Sequence, residues 1–328
     1  MLDFLYCSLN APACSGAIIA AAIIAANPAT VAAAIAQSHW ATAAVIALRV
    51  IAVGAAGLTW WLLFPPHPRP QARICVLLRY IREGTNALLP LAQIGGDVIG
   101  ARLLTFWKIP GPLAAATVIV DVLAQAGTQF LFALVGFTLV MAHGVGGTFI
   151  HNLAWALAAA AFALVGFYLA QRHWGEEVAN AVLKRLARGR EWQINGTFEA
   201  LFRELRAVHR RRAGLAAAIV CHLAVWFIGA GEVWVTLRAM GYTISYADAV
   251  AIESLAQAAR GAAFVVPGAV GVQEGGLIVL CALFGVPANA ALALSLIKRA
   301  ADLTVGIPGL IGWHALETRR IGQKRQRA

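Results

Sequence analysis

Two short stretches of this chain place a proline, glycines and an acidic residue together inside apolar surroundings. VVPGAVGVQEGG contains Pro267 and Glu274, and LPLAQIGGD contains Pro90 and Asp97, so the acid follows the proline at the same interval in both. Proline removes a backbone donor and glycine permits left-handed angles, so each stretch predicts a break between two helices. Backbone freed in this way survives inside a membrane only if it is buried in protein or lines a wet cavity.

The acid at each break has two compatible roles. Where a helix restarts, its first amides are unpaired and carry the positive end of the helix dipole, so an acid there can cap the helix. The same acid can also line a polar cavity that meets a lipid headgroup. We expect the breaks to act as hinges formed by Pro90, Gly95, Gly96, Pro267, Gly268 and Gly271.

Other charged residues lie within the apolar segments, namely Arg49, Asp121, Glu253, Lys298, Arg299 and Asp302. An unpaired charge at the bilayer centre costs about 2.5–3.5 kcal/mol, so these side chains should be paired or face a hydrated interior. Lys298 and Asp302 are one helical turn apart and predict an ion pair. Arg49, Arg102 and Glu253 can alternatively snorkel at helix ends.

Charges of opposite sign at the two breaks, Glu83 and Arg102 included, predict a central polar network. Such a network indicates a hydrated route through the protein interior, along which a polar headgroup could pass. The residues expected along this substrate path are Asp97, Glu274, Arg260, Arg299, Arg82, Asp121, Lys298 and Asp302.

The elements that must position these residues are membrane-spanning helices. Of the 328 residues, 60% are hydrophobic and 12% are charged, whereas soluble domains have about 45–50% apolar and 25% charged residues. A helix needs about 20 apolar residues to cross about 30 Å of hydrocarbon. The sequence therefore predicts an all-α polytopic integral membrane protein with about six full spans. These spans are 5–26, 41–64, 113–142, 148–171, 213–240 and 288–313.

The formal net charge of +11 is concentrated in loops beside these segments. Ten Lys and Arg lie in 172–212, five in 319–327 and four in 69–82. The positive-inside rule places these regions and both termini in the cytoplasm, which explains the charge without nucleic acid as a partner. We expect the basic loop 172–212 to be amphipathic and to meet anionic headgroups.

The same rule requires residues 65–112 to begin and end in the cytoplasm and residues 241–287 to begin and end outside. Each region has the pattern helix, break, helix, either as a re-entrant hairpin or as two short crossings. Broken hairpins that open to opposite sides are typical of inverted repeats in transporters. The predicted organisation is a single transmembrane domain, 1–328. It contains a first repeat (41–171, hairpin 73–107), the loop 172–212, a second repeat (213–313, hairpin 247–285) and a basic tail (314–328).

Sequence motifs of soluble enzymes do not occur in the chain. No H-E-x-x-H, G-x-S-x-G, Walker A or dinucleotide-binding pattern is found, and the five cysteines are scattered without a Cys/His cluster. We therefore expect no metal and no cofactor, and a transporter rather than an enzyme. His151 and His222 lie singly within spans, so each is expected to hydrogen-bond between helices.

Four blocks of the sequence resemble the transmembrane region of the lysylphosphatidylglycerol synthase superfamily, most closely its hopanoid-biosynthesis-associated (HpnL-type) members. They are NALLPLAQIGGDVIGARLL, AATVIVDVLAQ, VVPGAVGVQEGG and SLIKRAADLTVGIPGLIG. The resemblance implies a domain of the bacterial inner membrane that, in fused members, flips an aminoacylated phospholipid between leaflets. The family motif falls on Pro90, Gly96, Asp97, Pro267, Gly271, Glu274, Arg299, Pro308 and Gly312.

The chain departs from the family pattern in two ways. Asp97 stands where the wider family usually has Glu, and no transferase domain follows the last span, so we expect no synthesis of aminoacyl lipid. The favoured hypothesis is a translocator of a hopanoid, a related polyprenoid lipid or a phospholipid. One alternative is an intramembrane transferase that uses Glu274 or Asp97 as a base. Another is a scaffold that docks lipid-synthesis enzymes through the loop 172–212.

Overall fold

The computed structural model describes residues 28–89, 94–171, 195–263, 269 and 271–325. These residues form eleven α-helices and one 3-10 turn with no strand among them, which confirms the predicted all-α class. Segment 5–26, residues 172–194 of the basic loop, and Pro90, Pro267 and Gly268 lie outside the described residues. The helices are α1 (Pro28–Gln37), α2 (His39–Leu62), α3 (Ala72–Leu88), α4 (Gly95–Leu104), α5 (Gly111–Ala142), α6 (Thr148–Leu169), α7 (Asn195–Arg210), α8 (Arg212–Ala239), α9 (Tyr246–Ala262), α10 (Val272–Leu283) and α11 (Ala288–Arg325).

Among the described helices, α2, α5, α6 and α8 are long and apolar enough to cross a membrane. They coincide with four of the predicted spans, and the protein is a multi-pass membrane protein. The predicted span 288–313 lies within α11, a 38-residue helix that carries several charged residues and is therefore less apolar than these four. Because α11 continues to Arg325, the segment predicted as a tail from residue 314 is helical.

Both regions predicted to be helix, break and helix have this form. α3 ends at Leu88 and α4 begins at Gly95, while α9 ends at Ala262 and α10 begins at Val272. The two helices of each pair pack against each other, so α3–α4 and α9–α10 are both helical hairpins.

Glycines shape the restart of the second helix in each hairpin. Gly271, which precedes α10, has φ of 85°, a left-handed angle that favours glycine. A β-carbon at Gly96 would overlap the backbone carbonyl of Arg82, so this glycine allows α4 to start directly against α3. Two of the residues predicted as hinges therefore have a definite conformational role.

The helices that carry the hairpins pack in matching pairs. α2 packs against α8, and the first helix of each hairpin packs against the long helix that follows the other hairpin, α3 on α11 and α9 on α5. α2 also contacts α11, while α8 contacts α5. Trp60, Leu78 and Leu103 belong to an apolar core in the first half, and Ile252 and Leu294 belong to another in the second half.

A close, glycine-lined helix crossing joins the first hairpin to the last helix. A β-carbon at Gly84 on α3 would overlap the carbonyl of Gly306 on α11, and one at Gly309 would overlap the carbonyl of Tyr80. The glycines therefore bring the two backbones into direct contact, a geometry typical of tightly packed helices in membranes.

The end of the predicted loop 172–212 is helical, since α7 covers Asn195–Arg210 and α8 begins at Arg212. α7 packs on α5 through Leu205 and Val208, both buried. By contrast, α6 buries only Leu157 among its own residues and packs mainly against α5. An apolar helix exposed on most of its surface is expected at a lipid boundary.

Candidate functional site

A cavity of about 340 Å³ lies between α2, α3, α4, α5, α8 and α9. Ion pairs and amide side chains surround it between the apolar helices, which makes it the candidate functional site. Its charged lining residues are Arg49, Arg79, Arg82, Glu83, Asp97, Glu232, Glu253 and Arg260. Its uncharged polar lining residues include Asn86, Gln125, Gln129, His222, Trp226 and Gln257.

Arg82 is the central cation of the first half. Its Nε and Nη2 atoms lie 2.9 and 2.6 Å from Oδ1 of Asp97, and its Nη1 atom lies 2.9 Å from Oδ2 of Asp121. The side chain is 2% exposed, and its Cζ atom lies 4.7 Å from the centre of the Trp60 ring. One guanidinium thus joins α3, α4 and α5 through charge-assisted hydrogen bonds.

The fully buried carboxylate of Asp121 contacts three side chains. Besides Arg82, it accepts a 3.2 Å bond from Arg79 and lies 3.1 Å from Nε2 of His222 on α8. The expectation that His222 bonds between helices is confirmed by this contact. His151 differs, because it accepts a hydrogen bond from Trp155 on its own helix, and the corresponding expectation was wrong.

A second network joins α2, α8, α9 and α11. Arg49 on α2 forms a bidentate pair with Glu232 on α8, with N···O distances of 2.6 and 2.9 Å, and a 2.8 Å contact with Asp302. Lys298 lies 3.0 Å from Glu232 and 2.9 Å from both carboxylate oxygens of Glu253.

The predicted ion pair between Lys298 and Asp302 is not among the contacts of either residue. Each of the two bonds to other helices instead, since buried charges on neighbouring helices offer shorter contacts than an i,i+4 partner on the same helix. Snorkelling is also wrong for Arg49 and Glu253, which are 9% and 1% exposed and paired inside the protein.

Glu274 caps the second broken hairpin. Its Oε2 atom accepts the amide of Gly271 at 2.7 Å, while Oε1 accepts Arg299 Nε at 2.6 Å and Ser295 Oγ at 3.1 Å. In the first hairpin Asn86 takes this capping role, because its Oδ1 accepts the amide of Gly96 at 2.7 Å. The acid therefore caps its helix in only one of the two hairpins.

Arg260 is held least firmly among the cations that line the cavity. Its side chain is 14% exposed, and its nearest carboxylate contact among the described residues is 3.6 Å, to Asp302. Beside it, Gln129 donates to the carbonyl of Gln257 at 2.7 Å, and the Gln257 amide donates to Glu253 at 2.8 Å. This part of the cavity combines a cation with neutral hydrogen-bonding groups.

The structure brings together most of the predicted path residues, but not all of them. Arg82, Asp97 and Arg260 line the cavity. Asp121, Lys298 and Asp302 are not among its lining residues, but each forms an ion pair with a lining residue. Glu274 and Arg299 pair with each other and are not among its lining residues. Arg102 lies apart from the network, 61% exposed and paired with Glu317.

Sequence reasoning missed several residues of the site. Glu232 and Arg79 are charged residues in or beside apolar segments, so the rule that selected Arg49 would also have selected them. Gln125 and Gln129 are one turn apart on α5, but an uncharged amide in an apolar segment gives no comparable signal. Within the described part of the chain, no three His, Cys, Asp or Glu side chains are grouped as metal ligands would be.

Comparison with known proteins identifies the family of the chain. No curated protein and no solved structure matches it. The family model described as the lysylphosphatidylglycerol synthase transmembrane region matches residues 13–309, which include all the helices that line the cavity. The chain therefore belongs to the lysylphosphatidylglycerol synthase transmembrane-region family.

Proposed function

We propose that the protein translocates a lipid between leaflets, with the headgroup passing through the cavity and the apolar body remaining in the bilayer. The observation that carries the proposal is a cavity with eight charged lining residues between the helices of a membrane protein. Such charges are costly in a membrane and are usually retained for a substrate or ion pathway. Membership of a family of membrane lipid proteins supports a lipid as the substrate.

The border of the cavity suits an amphipathic substrate. Ile94, at the start of α4, lines the cavity and is also 53% exposed, and Val98 on the next turn is 64% exposed. Apolar side chains therefore connect the polar interior with the outer surface of α4. A lipid whose headgroup is inside and whose chains lie along this surface would leave neither part in an unfavourable solvent.

We also propose that the two halves are inverted repeats. The contacts made by α2, α3, α4 and α5 correspond one by one to the contacts made by α8, α9, α10 and α11. For example, the packing of α3 on α11 corresponds to the packing of α9 on α5. Asp121 follows Asp97 at the same interval as Lys298 follows Glu274. Asp121 pairs with arginines of α3, and Lys298 pairs with Glu253 of α9. The acidic and basic partners are therefore exchanged between the two equivalent ion pairs. Repeats of this kind support alternating access around a central site.

The specific lipid that we propose is a hopanoid or a related polyprenoid lipid in the bacterial inner membrane. This rests on the similarity of the sequence to hopanoid-associated members of the family. We place both termini in the cytoplasm, as the charge distribution predicts. α7, which carries Arg203, Arg206 and Arg210, would then face anionic headgroups of the cytoplasmic leaflet.

The geometry favours transport over an intramembrane transferase. A general base must be free to accept a proton, but Asp97 is held by Arg82 at 2.6 Å and Glu274 is held by Arg299 at 2.6 Å. A scaffold is favoured less, because it would need no polar cavity inside the helices. Transport accounts for the polar cavity without requiring an unpaired acid as a base.

Reconstitution into vesicles tests the proposal. Purified full-length protein should speed the exposure of a fluorescent lipid from the inner leaflet to a membrane-impermeant quencher. Asp97→Asn should slow this movement at least about tenfold, because Arg82 loses a charge-assisted contact that shapes the cavity. Glu317→Gln is the matched control, since it alters a partly exposed ion pair that does not line the cavity. Equal rates for protein-containing and empty vesicles would refute the proposal.

Lipid mass spectrometry on separated inner and outer membranes distinguishes transport from chemistry. A deletion strain should retain its full set of lipids and distribute one of them wrongly between the membranes, and the Asp97→Asn variant should not restore the distribution. If instead one modified lipid is lost and its precursor accumulates, an intramembrane enzyme becomes the better explanation.

A further inference from the structure

We infer that Arg260 and Gln273 form an anion-binding site at one end of the cavity, which takes the phosphate or carboxylate of a lipid headgroup. The inference rests on the proposed function for the identity of the ligand as a lipid. Among the arginines that line the cavity, the inference assigns Arg260 to the ligand and Arg49, Arg79 and Arg82 to the ion pairs that hold the helices together.

The first argument is that, among the arginines that line the cavity, Arg260 has its nearest carboxylate at the greatest distance within the described residues. Arg49 and Arg82 each have carboxylate contacts of 2.6 Å. Arg260 lines the same cavity, is 14% exposed, and comes no closer than 3.6 Å to a carboxylate within the described part of the chain. A guanidinium has five N–H donors, so a partly buried one without a close carboxylate can donate to water or to a ligand in the cavity.

The second argument is the neighbouring amide of Gln273. This side chain is 4% exposed, and neither its Nε2 nor its Oε1 atom has a hydrogen-bond partner among the residues that the structure describes. Most buried polar atoms in proteins are paired, so an unpaired amide points to a missing partner. Gln273 and Arg260 both line a small cavity of about 10 Å³, large enough for about one water molecule.

The two cavities meet at this point. Glu253, Gln257 and Arg260 line both the small cavity and the large one, so Gln273 lies across these residues from the large cavity. Lys298 also lines the small cavity and adds a second positive charge. An anion held here would lie between two cations and next to a free amide donor.

Nearby carboxylates do not prevent anion binding, because other cations already hold them. Glu253 accepts two 2.9 Å contacts from Lys298, and Asp302 accepts a 2.8 Å contact from Arg49. An anion can therefore contact Arg260 without displacing any of these shorter pairs. Arg82 or Arg299 would first have to leave a carboxylate at 2.6 Å, which makes either a poorer ligand.

Calorimetric titration of the full-length protein in detergent micelles tests the site. The probes are dihexanoylphosphatidic acid, dihexanoylglycerol, which has the same chains without phosphate, and inorganic phosphate. Phosphatidic acid should bind at least about tenfold more tightly than dihexanoylglycerol, since the phosphate adds charge-assisted hydrogen bonds. It should also bind more tightly than inorganic phosphate, because the chains contribute apolar burial.

Arg260→Gln should weaken binding of phosphatidic acid about tenfold or more and leave binding of dihexanoylglycerol unchanged. Arg260→Lys should give an intermediate loss, because it keeps the charge but not the planar fork. Gln273→Leu should weaken phosphatidic acid about threefold to tenfold and provides an independent test if Arg260 variants fail to fold. Arg102→Gln is the matched control, an exposed arginine remote from the cavity, and should bind like the wild type.

The inference is overturned if phosphatidic acid and dihexanoylglycerol bind equally, or if Arg260→Gln and Gln273→Leu both bind like the wild type. Inorganic phosphate that binds as tightly as the lipid would also overturn it, in favour of a site for a free anion. Vesicles that move lipid without any preference for phosphate would refute this site and leave lipid translocation standing. Anion binding without lipid movement would instead refute the proposed function.

Discussion

The charged side chains around the cavity bond to one another across helices. Asp121 is shared by Arg79, Arg82 and His222, and it therefore connects α3, α5 and α8 at a single carboxylate. Buried pairs of this kind contribute little net stability when complete, but removing one partner leaves the others as uncompensated buried charges. These ion pairs are consequently more important for the relative positions of the helices than for the free energy of unfolding.

Asp121→Asn should destabilise the protein by about 3–5 kcal/mol, because two buried arginines lose a shared carboxylate. Unfolding in detergent, followed by circular dichroism against denaturant concentration, measures the change. Glu317→Gln should cost less than about 1 kcal/mol, since its partner Arg102 is 61% exposed. A similar loss in the two variants would contradict the structural role given to Asp121.

Glycines allow α3 and α11 to cross in close contact. Gly84, Gly306 and Gly309 bring α3 and α11 together without intervening side chains, and this crossing fixes the first hairpin to the last helix. In a bilayer, such close backbone contact supplies the van der Waals packing that replaces a hydrophobic driving force. The hairpin that carries Arg82 is thus positioned by glycines on an element far away in sequence.

Gly309→Ala should lower the free energy of unfolding by about 1–3 kcal/mol, because the new β-carbon overlaps the carbonyl of Tyr80. Gly275→Ala is the matched control. It is an exposed helical glycine with no atom within 4 Å of the added carbon, so it should be neutral or stabilise by up to about 1 kcal/mol. Denaturant unfolding of both variants decides the point. Stabilisation by both would show that the crossing is loose.

At the scale of the whole molecule, helices α2 to α5 and α8 to α11 make corresponding packing contacts, as the proposed inverted repeats require. Asp121 of the first half has Lys298 as its counterpart, and both lie behind the central cavity. The cavity is lined by helices from both halves, so movement of one half against the other would change which side of the membrane it faces. Such a movement would give the alternating access that the proposed function requires.

Cysteine labelling tests the opposed orientation of the halves. In a variant without native cysteines, Gly111→Cys and Ala288→Cys lie at equivalent starts of α5 and α11. If the halves are inverted, an impermeant thiol reagent applied to intact spheroplasts should label residue 288 and not residue 111. Gly146→Cys and His67→Cys, in exposed loops predicted outside and inside, serve as labelled and protected controls. Labelling of 111 and 288 from the same side would exclude inverted repeats.

The sequence by itself determined the class of the protein, four of its apolar spans and the two helix breaks, because apolar run length, proline and glycine act locally. It also indicated which charges are buried, since a charge in an apolar run must be paired or functional. Only the tertiary structure decided the partners, such as Lys298 with Glu253 instead of Asp302, because contacts across helices depend on how the helices pack. The same packing left Arg260 with only a 3.6 Å carboxylate contact and Gln273 without a hydrogen bond among the described residues, which no local pattern encodes.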